Sequence, residues 1–173
     1  MNRYVCTTEK PALYYIPGLL VAVALATTVT GYYAASDAGD SPTRYLAFLA
    51  PVLIAVMLVV FRLYRPVAVV LTDDELVVDR TASTVSIPYA EIIKVSLPDN
   101  KDLRLAIRTF GNGGLFGYTG KYYKQPYGPM TWYCSQRKNF VLIETSAGKK
   151  IVVTPDERDA MVKALRERVS AAG

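Results

Sequence analysis

The sequence contains no histidine, only two cysteines and a single tryptophan among its 173 residues. Without histidine, Ser-His-Asp catalysis, Cys-His catalysis and imidazole metal sites are excluded. Cys6 and Cys134 are too few for a disulfide framework or a four-ligand zinc site. Intrinsic disorder is also excluded, because 51% of the residues are hydrophobic and the net charge is only +5. We therefore expect neither an enzyme nor a bound metal or cofactor.

Charge is also missing from two long stretches of the chain. Residues 12–35 carry no charged side chain, and as a helix they would be about 36 Å long, which exceeds the hydrocarbon thickness of a bilayer. Residues 45–64 carry only Arg62, which is close enough to the end to reach the interface. Tyrosines flank both stretches, as in aromatic belts. Residues 1–65 are therefore predicted to form a transmembrane hairpin with helices at 12–35 and 45–64.

Two alternatives to this hairpin are a pair of buried helices in a soluble core and a cleaved signal peptide. Cleavage is suggested by Lys10 ahead of the apolar run and by the small residues Ala24 and Ala26. However, the apolar run continues past that point to Tyr33, as a spanning helix should.

Basic residues lie outside both helices, and acidic residues lie between them. The flanking basic residues are Arg3, Lys10, Arg62 and Arg65. The connecting loop, residues 36–43, contains Asp37 and Asp40 and no Lys or Arg, although Arg44 follows it. The positive-inside rule then predicts a multi-pass protein with both termini in the cytoplasm.

From Pro66 onwards the apolar runs are short and separated by turn residues, a pattern typical of antiparallel β-structure. Residues 103–107 alternate between apolar and other side chains, which predicts a strand with one face in the core. Ser146-Ala147-Gly148 predicts a tight hairpin. Residues 66–173 are therefore predicted to form a mainly-β domain of about seven antiparallel strands.

One helix is predicted at the end of this domain. Thr154-Pro155-Asp156-Glu157 has the pattern of a capping box, with Thr154 as the N-cap. An apolar stripe at helical spacing follows, formed by Met161, Val162, Leu165 and Val169. This stripe is expected to pack against the sheet.

The order of strands and helix is that of a pleckstrin-homology (PH) domain, and two segments resemble bacterial PH-domain proteins. Residues 108–123 are similar to the Gly- and aromatic-rich segment of that group, and residues 139–155 to its closing hairpin. The resemblance covers about residues 66–170. It implies a bent antiparallel sheet or partly open barrel capped by the C-terminal helix, behind a membrane hairpin in the bacterial inner membrane.

The glycine-rich segment also invites a nucleotide-binding interpretation, which its spacing contradicts. A G-x-G-x-x-G motif would need glycine where Phe116 stands, and a P-loop would need glycine and Ser or Thr where Leu115 and Tyr122 stand. Glycines that allow a positive φ or a close approach of two strands explain the segment more simply.

If successive strands are antiparallel, every second loop lies at the membrane end of the domain, because the first strand follows directly from Arg65. Loops 80–84, 110–129 and 146–149 are then predicted there, and Arg137, Lys138, Asp156 and Glu157 at the opposite end. Basic and aromatic side chains favour the interface of an anionic bilayer. The expected membrane contacts are Arg62, Arg65, Lys121, Lys124, Lys149, Lys150, Leu115, Phe116 and Tyr118. The alternatives are solvated turn charges and aromatic rings that complete a core or an oligomer interface.

The first hairpin loop of the domain contains Asp73, Asp74 and Glu75. The PH domains that bind phosphoinositides carry Lys and Arg in that loop, so the resemblance does not extend to this activity. We expect a non-catalytic binding or scaffolding module at the cytoplasmic membrane surface. The alternative is an accessory subunit of a larger membrane complex, with a face of the first helix around Thr27, Thr28 and Gly31 packed on a partner. The expected partners are the bilayer and a membrane or cytoplasmic protein, without nucleic acid; a homo-oligomer is compatible with the sequence.

Overall fold

A computed structural model describes residues 1–37 and 43–172 of the chain. It contains two long helices, two β-sheets, a short helix and a C-terminal helix. Residues 38–42, which include Asp40 of the predicted outer loop, lie outside the described residues.

The two long helices are α1, Ile16–Asp37, and α2, Thr43–Leu63, and they contact each other. A π-helical turn, Pro11–Tyr15, leads into α1, and Pro51 lies inside α2. The segment Leu13–Tyr33 is long and apolar enough to cross a membrane, judged by length and composition. The apolar stretch found in the described part of α2, Pro51–Leu63, is shorter than a membrane span.

The first sheet contains a strand that the sequence analysis missed. Its four antiparallel strands are, in spatial order, β1 Asn2–Val5, β2 Pro66–Leu71, β3 Glu75–Arg80 and β4 Thr84–Pro88. Strand β1 pairs with β2 from Asn2 opposite Leu71 to Val5 opposite Ala68. Residues before α1 and residues after α2 therefore share one sheet, and a domain boundary at residue 66 leaves one strand out.

The second sheet has six strands, in the spatial order β5-β9-β10-β8-β7-β6. They are β5 Ile92–Ser96, β6 Ile107–Gly113, β7 Tyr118–Lys124, β8 Gly128–Cys134, β9 Val141–Thr145 and β10 Lys150–Val153. Neighbouring strands are antiparallel except β10 and β8, which run parallel. The prediction of about seven antiparallel strands in residues 66–173 was therefore wrong in number, since the described part of that range contains nine, and in the direction of one pair.

Only the last residue of the strand predicted at residues 103–107 lies in a strand, because β6 begins at Ile107. Residues Asn100–Arg104 form the short helix α3, and the carboxylate of Asp99 accepts a hydrogen bond from the Lys101 backbone N–H at 3.1 Å. Leu103 is fully buried, whereas Leu105 is 72% exposed. The local N-cap therefore outweighs the alternation of side chains, because the Asp99 carboxylate satisfies a backbone donor in the first turn of the helix.

The main core lies between the two sheets and under the C-terminal helix α4, Arg158–Ala172. Met161, Val162 and Leu165 of α4 are buried in it, which confirms the predicted stripe. The predicted capping box was wrong: α4 begins at Arg158, and the Thr154 hydroxyl accepts a hydrogen bond from the Ser135 backbone N–H at 2.9 Å.

A second core covers the other face of the six-stranded sheet. Trp132 is fully buried, stacked on Tyr122 with ring centroids 4.1 Å apart, and in contact with Phe140. Cys134 is also fully buried in this cluster. Burial raises the pKa of its thiol well above the ordinary value, so the thiol is protonated at neutral pH.

Candidate functional site

The domain has two distinct ends, which we call the helix end and the far end. At the helix end, the turn between β3 and β4 is held against the end of α2. Thr81 N donates to the carbonyl of Arg65 at 3.2 Å, and Ala82 N donates to that of Leu63 at 2.9 Å. At the far end lies the turn between β2 and β3, with the acidic residues at positions 73–75.

The turn between β6 and β7, residues 114–117, also lies at the helix end. A Cβ atom added to Gly114 would lie 3.2 Å from Cδ1 of Ile16, and one added to Gly117 would lie 3.6 Å from Cδ of Pro66. The Thr8 hydroxyl donates to the carbonyl of Phe116 at 3.4 Å. The structure therefore brings this part of the glycine-rich segment to the start of α1, with the side chains of residues 115 and 116 half-buried.

Tyr118 was predicted to touch lipid headgroups, and that prediction was wrong. Its side chain is only 8% exposed and packs in the second core. Its hydroxyl donates to Oε2 of Glu9 at 3.4 Å, and the guanidinium of Arg137 lies 4.8 Å from its ring centroid. Burial, and then the carboxylate of Glu9, raises the pKa of Tyr118.

Glu9 and Arg137 are residues of this end that sequence reasoning missed. Oε1 of Glu9 accepts a hydrogen bond from the Arg137 backbone N–H at 2.7 Å, across a separation of 128 residues. Asp156 makes a second such link, since its carboxylate accepts from the hydroxyl of Thr7 at 2.5 Å and from Nε2 of Gln136 at 3.1 Å. These contacts fasten the segment before α1 to the domain.

Three of the predicted membrane-contact lysines lie at the far end instead. Strand β7 runs from the helix end to the far end, so its last residue, Lys124, is at the far end. Strand β10 is parallel to β8, which returns to the helix end, so Lys149 and Lys150 before and at the start of β10 are also at the far end. Nζ of Lys150 donates to the carbonyl of Tyr127 there, at 2.6 Å. The prediction failed because it treated residues 110–129 as one loop, whereas this segment contains strand β7, which carries the chain across the domain once more.

The same error misplaced residues at the helix end. The loop after β8 contains Arg137 and Lys138 and lies next to Glu9 at the helix end. Asp156, after β10, lies there too, since its backbone N–H donates to the carbonyl of Val5 at 2.9 Å. Both acidic and basic groups are therefore present at the helix end, in place of a purely basic surface.

Lys121 and Lys149 line a groove of about 230 Å³ between β4 and the second sheet. Nζ of Lys121 donates to the hydroxyl of Thr131 at 2.8 Å. Glu91 lines the same groove, so its charge is mixed. Lys121 therefore lies apart from Arg62 and Arg65, although the sequence analysis expected all three to contact the membrane.

Arg62, Arg65 and Arg80 are the basic residues closest to the end of α2. Arg62 is exposed in the last turn of that helix, and Arg65 is half-buried one residue before β2. The guanidinium of Arg80, opposite Pro66 in the sheet, lies 5.4 Å from the Tyr64 ring centroid and 5.5 Å from that of Tyr133. A guanidinium between two rings is held in place by cation–π attraction.

Groups suited to metal binding do not converge in the described part of the chain. No cluster of three His, Cys, Asp or Glu side chains is placed to hold a metal ion among residues 1–37 and 43–172. The second thiol, Cys6, is buried, and burial raises its pKa to about 12, so it is protonated at neutral pH.

The family of this chain is shown by its similarity to known proteins. The family model described as Bacterial PH domain matches residues 67–169, more than half of the chain. The chain belongs to the bacterial PH domain family. No curated protein and no solved structure matches it. PH domains are generally non-catalytic binding modules for lipids or proteins, and the two sheets with a C-terminal helix are consistent with the PH fold.

Proposed function

We propose that the protein is a membrane-anchored bacterial PH-domain protein that acts as a non-catalytic binding or scaffolding module at the cytoplasmic face of the inner membrane. The observation that carries this proposal is the pairing of β1 with β2, because it places the chain before α1 and the chain after α2 in one domain. The chain therefore leaves that domain through α1 and returns to it through α2.

The apolar surface of the helices supports insertion in a bilayer. Leu19 and Leu25 of α1 are 66% and 63% exposed, and Val52 and Leu53 of α2 are 57% and 58% exposed. Soluble monomers rarely expose apolar surface over such a length. Helix α1 has 22 residues and is therefore about 33 Å long, which matches a hydrocarbon core of about 30 Å.

The shared sheet also supports two crossings. If α1 crosses the bilayer, α2 must cross back, because β1 and β2 are on the same side. The basic residues Arg3, Lys10, Arg62 and Arg65 then flank the crossings on that side, which the positive-inside rule assigns to the cytoplasm. Cleavage near Ala26 would remove β1 from its sheet, and this argues against the signal-peptide alternative.

Within this arrangement, we place the membrane contact at the helix end of the domain. Arg62 and Arg65 extend from α2, and the half-buried Leu115 and Phe116 lie beside the start of α1. Basic side chains near an anionic leaflet each contribute about 1 kcal/mol. The two helices already anchor the chain, so these contacts serve to orient the PH domain on the surface.

An accessory subunit of a larger complex is the second candidate, and the edge strand β6 favours it. Ile107 and Phe110 on this strand are 68% and 77% exposed, and in the described chain the strand pairs only with β7. The Thr27 and Thr28 hydroxyls donate to the Ala24 carbonyl of their own helix, so they require no partner helix.

Purification in mild detergent followed by native mass spectrometry separates the candidates. A stoichiometric second protein would support the subunit, and the chain alone or a homo-oligomer would support the scaffold.

We expect the full-length protein to show no preference for multiply phosphorylated inositol headgroups. The turn at 73–75 would place three carboxylates against the phosphates, and Arg168 is the only guanidinium that contacts this turn in the described chain, 3.9 Å from Asp73. The measurement is binding to liposomes with and without phosphatidylinositol bisphosphate at equal total charge. Submicromolar, headgroup-specific binding that Asp73→Ala alters would show that the turn is a ligand site after all.

A further inference from the structure

Nε of Arg137 and three other buried polar groups at the helix end lack hydrogen-bond partners, and the three others lie together beside the β3–β4 turn. These three are Nε of Arg65, Nε of Arg80 and the hydroxyl of Ser83, none of which has a partner among the described residues. Buried donors are nearly always satisfied, so three orphans in one place need an explanation. A buried donor left alone costs about as much as a lost hydrogen bond, and more when it is charged.

The fold brings the three groups together. Arg80 ends β3 opposite Pro66, the residue after Arg65. Its backbone N–H donates to the Ser83 carbonyl at 2.9 Å, which closes the turn, and Thr81 N donates to the Arg65 carbonyl at 3.2 Å. The β3–β4 turn therefore sets Arg80 and Ser83 beside Arg65, at the point where α2 enters the domain.

No carboxylate neutralises this cluster in the described chain. Asp79, the acidic residue next to Arg80 in sequence, is 2.9 Å from Arg3 instead. Neither Arg65 nor Arg80 takes part in any of the ion pairs found. Burial lowers the pKa of Arg65, and neighbouring Arg62 lowers it further. Guanidinium groups are donors without an acceptor, so an anion would satisfy both groups and balance their charge.

We infer that Arg65, Arg80 and Ser83 form a binding site for one phosphate group, supplied by an anionic phospholipid headgroup. Guanidinium N–H groups and a hydroxyl are the donors that phosphate oxygens accept from best. Tyr64, the residue before Arg65, packs against the Arg80 guanidinium and marks the depth of the headgroups. The inference rests on the proposed function, because a lipid phosphate reaches the site only if α2 ends at a bilayer surface.

The test uses the full-length protein in nanodiscs of phosphatidylcholine titrated with phosphatidylglycerol, with retained phosphatidylglycerol counted by native mass spectrometry. The double variant Arg80→Gln, Ser83→Ala should weaken the apparent affinity about tenfold or more, since a hydrogen bond to a charged group is lost. Lys163→Gln, which removes one exposed charge from α4, is the matched control and should leave the affinity unchanged.

The Arg80→Lys variant distinguishes binding through specific hydrogen bonds from binding through positive charge alone. It keeps the positive charge but loses Nε and the planar fork, so we expect an affinity close to that of the double variant. The emission of the single tryptophan, Trp132, checks that each variant is folded. Wild-type affinity in Arg80→Lys, or in the double variant when folded, would overturn the site.

A second arm separates the two sources of phosphate. Inorganic phosphate is added to the protein in a zwitterionic detergent, and binding is followed by the thermal unfolding midpoint. We expect a smaller Arg80-dependent stabilisation here than with phosphatidylglycerol. Stabilisation by inorganic phosphate alone, without selection of phosphatidylglycerol, would contradict the lipid source. Fractionation of the full-length chain with membranes is followed in parallel, so a failure of membrane anchoring is distinguishable from a failure of this site.

Discussion

Deletion of residues 2–9 is expected to destabilise the PH domain by about 3–5 kcal/mol, because it removes a strand, the buried Cys6 and hydrogen bonds to two carboxylates. The edge of β2 would become exposed, and the carboxylate of Asp156 would lose Thr7. A domain boundary at residue 66 predicts no such loss of stability, because residues 2–9 would then lie outside the PH domain and only precede the first helix. This prediction therefore tests whether both sides of the helix pair belong to one domain.

The measurement is chemical unfolding in detergent, followed by the fluorescence of Trp132. This residue is the only tryptophan and is fully buried, so the signal reports on the domain and not on α1 or α2. The matched control is Arg3→Gln, which removes only a half-exposed ion pair with Asp79 and should cost less than about 1 kcal/mol. An unchanged unfolding midpoint for the deletion would mean that β1 contributes nothing to the domain.

Gly120→Ala is expected to destabilise the domain by about 2–5 kcal/mol, through backbone strain and overpacking. Gly120 has φ +128°, and a Cβ atom there would lie 2.3 Å from the carbonyl oxygen of Phe110. Gly111, directly opposite on β6, is equally crowded, with a Cβ position 2.4 Å from the carbonyl oxygen of Thr119. No side chain can move to relieve these contacts, because the obstructing atoms belong to the backbone.

Gly148→Ala is the matched control for this substitution. Gly148 also has a positive φ, +72°, but no heavy atom lies within 4 Å of its Cβ position. We therefore expect a loss of about 1 kcal/mol from the backbone conformation alone. Equal losses at both positions would show that the close approach of β6 and β7 is not what requires glycine at 120.

Features that depend on neighbouring residues were predictable from the sequence. The stripe of α4 follows helical spacing, and Gly148 closes the turn between β9 and β10 by donating to the Thr145 carbonyl at 2.9 Å. Gly111, Gly114, Gly117 and Gly120 also behave as expected, since each has a positive φ, and Gly111 and Gly120 lie at a close contact between strands. Each of these follows from a local rule of spacing or backbone sterics.

Features that depend on distant pairing were not predictable. Strand β1 is short and is separated from β2 by both long helices, so nothing in its own four residues marks it as part of the sheet. Strand β7 lies within the glycine-rich segment that was predicted to be a loop, and its pairing with β6 and β8 places Lys149 and Lys150 at the far end of the domain. The contacts of Glu9 with Tyr118 and Arg137 similarly join residues more than 100 positions apart. Local patterns carry no information about such partners.

The most direct test of the account is the membrane topology of the full-length chain. A reporter that is active only in the cytoplasm, fused after Gly173, and one active only in the periplasm, inserted between residues 38 and 42, should both be active in the same host. Fusions of the opposite type at the same two positions are the controls and should be silent. A periplasmic signal at Gly173, or a cytoplasmic signal between α1 and α2, would contradict two crossings with the PH domain in the cytoplasm.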